Sequence, residues 1–461
     1  MRDKPRPSGA GKDNADGAAV LAFVFALLLS RSTSSLYLPI MIRRQAFKYE
    51  LMPNGLHQRT LRRFGGACRF VFNKALALQQ DNRAAGGKFI RYESMAKLLT
   101  GWRHSSETPW LADAPNHPLQ HALKDLDRAY QNFFAGRADF PTFKKKGRGD
   151  SFRYPDAKQF KVEPGNARIF LPKLGWIRYR NSRDIAGTIK NITVSSKAGK
   201  WFVSIQTERE VAEPVPTAIS AVGADVGIDR FVTLSDGSFV APLDSFKKHQ
   251  QRLAKYQRRM SRKVKFSHNW KKAKAKVTRV HRDIGNARAD FIHKATTTIS
   301  NNHALVAVED LKIVNMTRSS KGTIETPGTN VRAKAGLNRA ILDQGWGEFG
   351  RQLDYKLYWN GGFFMQVPAH YTSQTCPCCG HVDKANRKSQ SAFLCTVCWY
   401  ENNADVVGAI NVLDRALAQL SQPSNEEGPD MARIACEVNG AVRPSAAGTH
   451  RSDMQEVLYA Q

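Results

Sequence analysis

The chain reads as two architectures in series. An antiparallel β-barrel interrupted by a block of helices comes first, followed by an α/β domain with a cysteine-knuckle insertion near its end. Three observations predict this. Short β-branched and aromatic runs succeed one another between 152 and 210, and one further strand, Ile42 to Leu51, precedes the helical sequence. The run Ala304-Leu305-Val306-Ala307-Val308 is continuously apolar, as in a strand buried on both faces. Two C-x₂-C knuckles, Cys376/Cys379 and Cys395/Cys398, enclose 15 residues and lead at once into an apolar helix.

With 461 residues the chain has length for two to four domains and a substantial core. Its formal charge of +30 demands a polyanionic partner, because cations that neutralise phosphates release counterions and gain sequence-independent affinity. Nucleic acid is the expected partner, with an anionic membrane surface as the alternative. Aromatic and apolar fractions of 10% and 42% point to folded domains rather than a basic disordered tail. Seven cysteines, four of them in the knuckles, read as metal binding in a reducing compartment and not as a disulfide framework. Residues 18–29 are apolar but short of the about 20 that span a bilayer. Acids precede them and no small-x-small cleavage site follows, so residues 1–40 are expected to be an extension ahead of a natural start at Met41.

The elements follow in order. Residues 42–51 alternate as a strand. Helical spacing then runs through Leu61, Phe64, Cys68, Val71, Phe72, Ala75 and Leu76, and again over Tyr92–Leu99 and Leu119–Phe134. The loop Phe140–Gly149 mixes rings and cations in a way suited to stacking on bases while holding phosphates. Strands are expected at 160–162, 167–171, 176–179, 189–195 and 201–207, and Pro214 and Pro216 mark a linker. Residues 219–240 read as two strands about a turn at Asp236-Gly237. Residues 246–300 read as one or two long helices, with 17 Lys/Arg against Asp283 and Asp290 between 247 and 294. Cations around the whole circumference suit a helix lying along phosphates better than one packed in a core. One helix is expected over 338–359, a strand over Phe363–Val367, and a final helix from Val406 to about Leu420. Beyond 421 the polar composition reads as a disordered tail.

Four thiolates in two C-x₂-C turns suit one tetrahedral zinc, and Cys379 is preferred over its neighbour Cys378 on spacing and on the following Gly380. Four ligands leave no open position for water, so this zinc is expected to be structural. Three carboxylates stand at element edges: Asp225 between Gly223 and Gly227, Glu309 at the end of the apolar strand, and Asp405 at the start of the last helix with Asn403 as N-cap. The two glycines are expected to permit close approach of backbone to a ligand. Brought together, such acids repel unless cations join them, and a pair of Mg²⁺ or Mn²⁺ ions there would serve a phosphodiesterase. Asp229 is expected to cap or salt-bridge, and His370 and His381 to be incidental.

This order of motifs resembles the TnpB family, the OrfB-type transposases of bacterial insertion sequences, over about residues 41–420. The likeness is carried by Ile42–Tyr49, Cys68–Asn73, Phe140–Lys144, Arg252–Lys263, Val308–Leu311, Thr372–Cys376 and Asn403–Asp405. After the last acid many members have Asn-Ala-Ala, where this chain has Val406-Val407-Gly408-Ala409. The resemblance implies an RNA-guided DNA endonuclease. Its wedge-type barrel would span 41–56 and 138–212, its helical recognition block 57–137, and its split RuvC/RNase H-like nuclease 217–370 and 403–420, with a zinc ribbon at 371–402. It implies Asp225, Glu309 and Asp405 as catalytic, magnesium-holding acids and Cys376, Cys379, Cys395 and Cys398 as zinc ligands. The resemblance further implies a bacterial cytoplasmic, nucleoid-associated protein whose partners are a guide RNA from the transposon end and a target duplex beside a short motif, bound as a monomer without a membrane. A strand-joining transposase and a non-catalytic nucleic-acid-binding regulator of transposition are the competing readings.

Overall fold

The computed structural model describes residues 40–421; the expected extension, Ile40 apart, and the expected tail, Ser421 apart, lie outside the described residues. The described chain divides into two compact units, 40–211 and 212–421.

In the first unit, β1 (Ile40–Met52) precedes three helices, α1 (Gly55–Ala84), α2 (Tyr92–His104) and α3 (Asn116–Phe134). Asn54 caps α1 by accepting from the His57 amide at 2.8 Å. Six strands follow: β2 (Ser151–Tyr154), β3 (Lys161–Glu163), β4 (Arg168–Leu171), β5 (Gly175–Tyr179), β6 (Thr188–Lys197) and β7 (Lys200–Ala212). They join β1 in one seven-stranded sheet of order β2-β6-β7-β1-β5-β4-β3, so the helices are an insertion between a strand and its sheet. Alternate residues (Phe152 and Tyr154, Ile192 and Val194, Val203 and Ile205) are buried in one core with Leu61, Val71, Leu76 and Leu119 from the helices.

The expected base-stacking loop is largely structural at its start. Phe140 packs edge-on against Tyr130 and Phe133. Lys144 exchanges backbone bonds with the Asn73 amide and lies 4.0 Å from the Phe72 ring centroid, where burial lowers its pKa. Of that loop's rings, Phe143 is the exposed one.

The second unit is built on a five-stranded sheet: β8 (Ala221–Asp225), β9 (Val232–Leu234), β10 (Phe239–Val240), β11 (Leu305–Glu309) and β12 (Phe363–Val367), in the order β10-β9-β8-β11-β12. β8, β11 and β12 are parallel, while β9 and β10 form an antiparallel hairpin over the expected Asp236-Gly237 turn. Between β10 and β11 lie two antiparallel-running basic helices, α4 (Ser245–Ser261) and α5 (His268–Asn302). They are not cationic all round. Leu253, Val277, Val280 and Ile284 form a narrow apolar seam with Phe246, Tyr256 and Met260 beside it. Asp343 secures the base of this hairpin, accepting from the Phe246 amide, Ser245 Oγ and Arg288 Nη2 at 2.8–2.9 Å.

A short helix, α6 (Ile313–Met316), precedes α7 (Val331–Gln344) and α8 (Trp346–Trp359). The single helix expected over 338–359 is thus two, broken at Gly345. Its φ of +76° is left-handed, and a Cβ there would press on Arg288 and Ile292 at 3.1 Å. The knuckle region follows with β13 (Ala392–Leu394) and β14 (Glu401–Asn403), then α9 (Ala404–Ser421).

The two sheet faces differ. Val222, Ala224, Val306 and Val308 face α5 and α8, where Ile292, Ile299, Phe349, Leu353 and Leu357 are buried. Each such fully buried side chain contributes about 1.5–3 kcal/mol. Ala307 and Val367 lie on the other face, against Val412 and Ala416 of α9. There β8 and α9 approach so closely that a Cβ on Gly223 would fall 2.0 Å from the Ala409 carbonyl oxygen. This corrects the sequence reading of the flanking glycines. Gly223 admits the helix rather than a ligand, and a Cβ on Gly227 would meet the Arg230 carbonyl oxygen at 2.9 Å within the β8–β9 turn.

Candidate active site and metal centre

Register brings the first two acids together. In the parallel pair β8–β11, Ala221 lies beside Leu305 and Ala224 beside Val308, so Asp225 and Glu309 end adjacent strands at the same level. Strand alternation turns both toward the α9 face. Asp405 enters from the first turn of α9, whose start is fixed by the expected cap: Asn403 Oδ1 accepts from the Asp405 amide at 3.0 Å. Gly408, one turn along, faces Asp225, and a Cβ there would lie 3.0 Å from Asp225 Oδ2.

Asp225 lies within electrostatic reach of both other carboxyls. Burial first, then the charges of Glu309 and Asp405, raise the Asp225 pKa to about 8 against the opposing pull of Arg387. Burial also raises Glu309, offset by a hydrogen bond from Thr372 Oγ1 and by the charges of Arg415 and Arg387. Asp405 is raised by burial and lowered by Arg387 and Arg230, with Asp229 opposing them. Among the described residues Asp229 forms no ion pair or cap, contrary to expectation; its charge acts on Asp405. Burial raises all three carboxyls, and Asp225 is raised further by the charges of the other two; an oxygen-only donor set of this kind suits hard divalent cations.

Sequence reasoning missed Arg387 and Thr372 as parts of this site. Arg387 lies in the knuckle region, its Nη2 3.7 Å from Asp405 Oδ1, with Nη2 also donating to the Gln390 carbonyl at 3.1 Å. It acts on all three acids. No local pattern marks one arginine among many. Thr372 is buried, and Asn411 Nδ2 of α9 donates to its carbonyl at 2.7 Å and to that of Thr375 at 2.8 Å. A Glu309–Thr372–Asn411 relay therefore ties strand, knuckle and helix together.

The four knuckle thiols converge as spacing required. Sγ atoms of Cys376 and Cys398 are 3.5 Å apart, those of Cys379 and Cys395 3.6 Å, and all four lie within 4.8 Å of one another. Metal–sulfur bonds of about 2.3 Å at tetrahedral angles give sulfur separations of this size, so one metal ion fits. Cys379, not Cys378, belongs to the group. Val407 of the departing Val406–Ala409 run is buried with Phe393, Cys376 and Cys395, so that position serves knuckle packing.

Fold and site together define a two-unit protein whose second unit is a mixed five-stranded α/β sheet domain carrying a four-cysteine centre. The structure matches the Cas12f1 chain of a Cas12f1–sgRNA–target DNA complex with a TM-score of 0.51, at 11% identity, over 80% of this chain and 98% of that one. The sequence matches family models described as "Probable transposase" (OrfB_IS605) over 204–320, "Cas12f1-like, TNB domain" over 346–412 and "Helix-turn-helix domain" over 41–88. That last segment holds β1 and the single helix α1, so its description does not fit the structure. "Putative RNA-guided DNA endonuclease InsQ" of Escherichia coli (strain K12) is 56% identical over 83% of this chain and 94% of its own length. A "Putative RNA-guided DNA endonuclease" of Streptomyces pristinaespiralis is 33% identical over 81% and 90%. The chain belongs to the TnpB family, the OrfB-type proteins of insertion sequences. No helix among the described residues is long and apolar enough to cross a membrane.

Proposed function

We propose that this protein is an RNA-guided DNA endonuclease of an insertion sequence, hydrolysing phosphodiester bonds at Asp225, Glu309 and Asp405. The observation that carries the reading is the placing of these acids at the ends of β8 and β11 and the start of α9, with Arg387 3.7 Å from Asp405 and its charge acting on all three. Magnesium or manganese held by the three carboxylates would polarise the phosphodiester and lower the pKa of the attacking water.

The chain's own residues prepare that site. Thr372 orients Glu309 through its hydroxyl, and Asn403 fixes Asp405 at the helix start. Gly408 leaves room for the Asp225 carboxylate. Arg387 supplies a fixed cation where charge develops on the phosphate, needing no reorganisation during reaction. Zinc held by Cys376, Cys379, Cys395 and Cys398 would be structural and would keep the Arg387 loop in place. The seven-stranded sheet would be the wedge-type barrel, interrupted by the helical recognition block. Base pairing with a guide RNA from the transposon end selects the target duplex, while the basic helices α4 and α5 hold phosphates without reading sequence.

The test is purification of the full chain with RNA from its own locus, sequencing of that RNA, and incubation with matching duplex DNA and Mg²⁺. Guide-dependent cleavage, abolished in Asp225→Ala with RNA binding intact, is expected. Cleavage that survives the substitution refutes the assignment.

A further inference from the structure

The turn joining α4 to α5 carries two aromatic rings at the tip of the hairpin. Phe266 is 65% exposed and Val264 80%. Phe266 also has φ +69°, a left-handed conformation in which glycine or asparagine sits freely and a bulky side chain does not. An exposed phenylalanine gains nothing from the core to offset that backbone. Ser267 then caps α5, accepting from the Trp270 amide at 3.1 Å, and this sets Trp270 beside Phe266. The ring centroids are 5.5 Å apart and inclined at 60°. Each ring has its own lysine: Lys265 Nζ lies 5.5 Å from the Phe266 centroid and Lys274 Nζ 5.3 Å from that of Trp270. Residues 262–282 contain nine Lys/Arg and no Asp or Glu.

We propose that this tip, formed by Phe266, Trp270, Lys265 and Lys274, is a stacking platform for an unpaired nucleotide of single-stranded nucleic acid. The rings accept a base face, and the lysines beside them neutralise its phosphates. This combination is how base-tolerant binding works, since every base has a π-face. The all-cationic surroundings fit a polyanion. The rings are too few and too inclined to make an apolar face for insertion into lipid. The inference rests on the chain being a nucleic-acid-binding protein and goes beyond that reading by naming the contact.

The test uses the full-length protein with dT₁₂ and rU₁₂ oligonucleotides, and with the same oligonucleotides carrying 5-iodouracil for photocrosslinking and peptide mapping. Crosslinks at Phe266 or Trp270 are expected. The pair Phe266→Gly and Trp270→Ala should weaken binding about 5- to 100-fold, the loss expected when one base is unstacked. The dependence of affinity on salt should stay unchanged, because the phosphate contacts remain. Phe266→Gly relaxes the left-handed residue, so its thermal transition should not fall, which separates lost contact from lost fold. Tighter binding of dT₁₂ assigns the site to DNA, and of rU₁₂ to RNA. Wild-type binding that the double variant retains in full, or crosslinks only elsewhere, overturns the platform and leaves the nuclease reading intact. Failure of the wild type to bind either oligonucleotide overturns both. Ring-dependent binding to phosphatidylserine vesicles without an effect on oligonucleotides overturns the platform in favour of a membrane contact.

Discussion

Asp225→Asn should make the metal-free protein more stable while removing its cleavage. The folded-state pKa of Asp225, about 8, lies above the ordinary value of 3.8, so the folded protein holds this proton more tightly than the unfolded chain. Its contribution to stability is therefore complete below about pH 4 and is lost as pH rises to about 8. Between pH 3.8 and pH 7 the loss is bounded by about 1.4 kcal/mol per unit, or about 4 kcal/mol in all. Asparagine never ionises and escapes the loss. The gap between variant and wild type in EDTA should be under about 1 kcal/mol at pH 4.5 and about 1–4 kcal/mol at pH 7. For a unit of this size that is about 2–4 °C of melting temperature per kcal/mol. Melting curves of both proteins from pH 4.5 to pH 8.5 measure it. Saturating Mg²⁺ should narrow or reverse the gap, because the wild type gains about 2.7 kcal/mol at a hundred times its dissociation constant and the variant less. Equal stability of the two proteins at pH 8 in EDTA would refute the argument that Asp225 is held neutral by burial and by its neighbouring acids.

Three further outcomes follow from the same geometry. Arg387→Ala should slow cleavage by about a hundredfold or more and move the pH–rate profile upward, since it removes the cation that lowers all three acids. Arg387→Lys should retain the profile, and an unchanged rate with unchanged zinc content in Arg387→Ala would dismiss the residue. Gly223→Ala drives a Cβ into the backbone of α9 and should cost about 2–3 kcal/mol in denaturant unfolding, against no more than about 0.5 if the contact is soft. Zinc measured by mass spectrometry should be one per chain in the wild type and in Cys378→Ser, and well below one in Cys395→Ser; loss in Cys378→Ser would reassign the ligand.

Much of the second unit was legible because its signals are local. The run Ala304–Val308 is apolar because β11 lies between β8 and β12 and under helices on both faces. The apolar composition of 406–420 marks α9, although Val412 and Ala416, not a stripe through Ile410, Leu413, Leu417 and Leu420, are the residues buried on the sheet. Two C-x₂-C turns identify the four thiols, although the short contacts, Cys376–Cys398 and Cys379–Cys395, join one turn to the other. In the first unit the inserted helices were readable from β1 standing apart from its sheet. The failures share a cause. Phe140 and Lys144 look like a binding loop until the helices that cover them are in place. Gly345 looks like a tolerated helix glycine until Arg288 and Ile292 approach it.

Periodicity, cysteine spacing and the placing of acids at element ends belong to the sequence alone, since each depends on neighbours a few residues away and on the pitch of a strand or helix. Which acids meet, which arginine faces them, which hydroxyl orients Glu309 and why Gly223 is glycine were decided only by tertiary structure. Those contacts join segments far apart along the chain. Their energies depend on burial and on distances of a few ångströms, which no local pattern records.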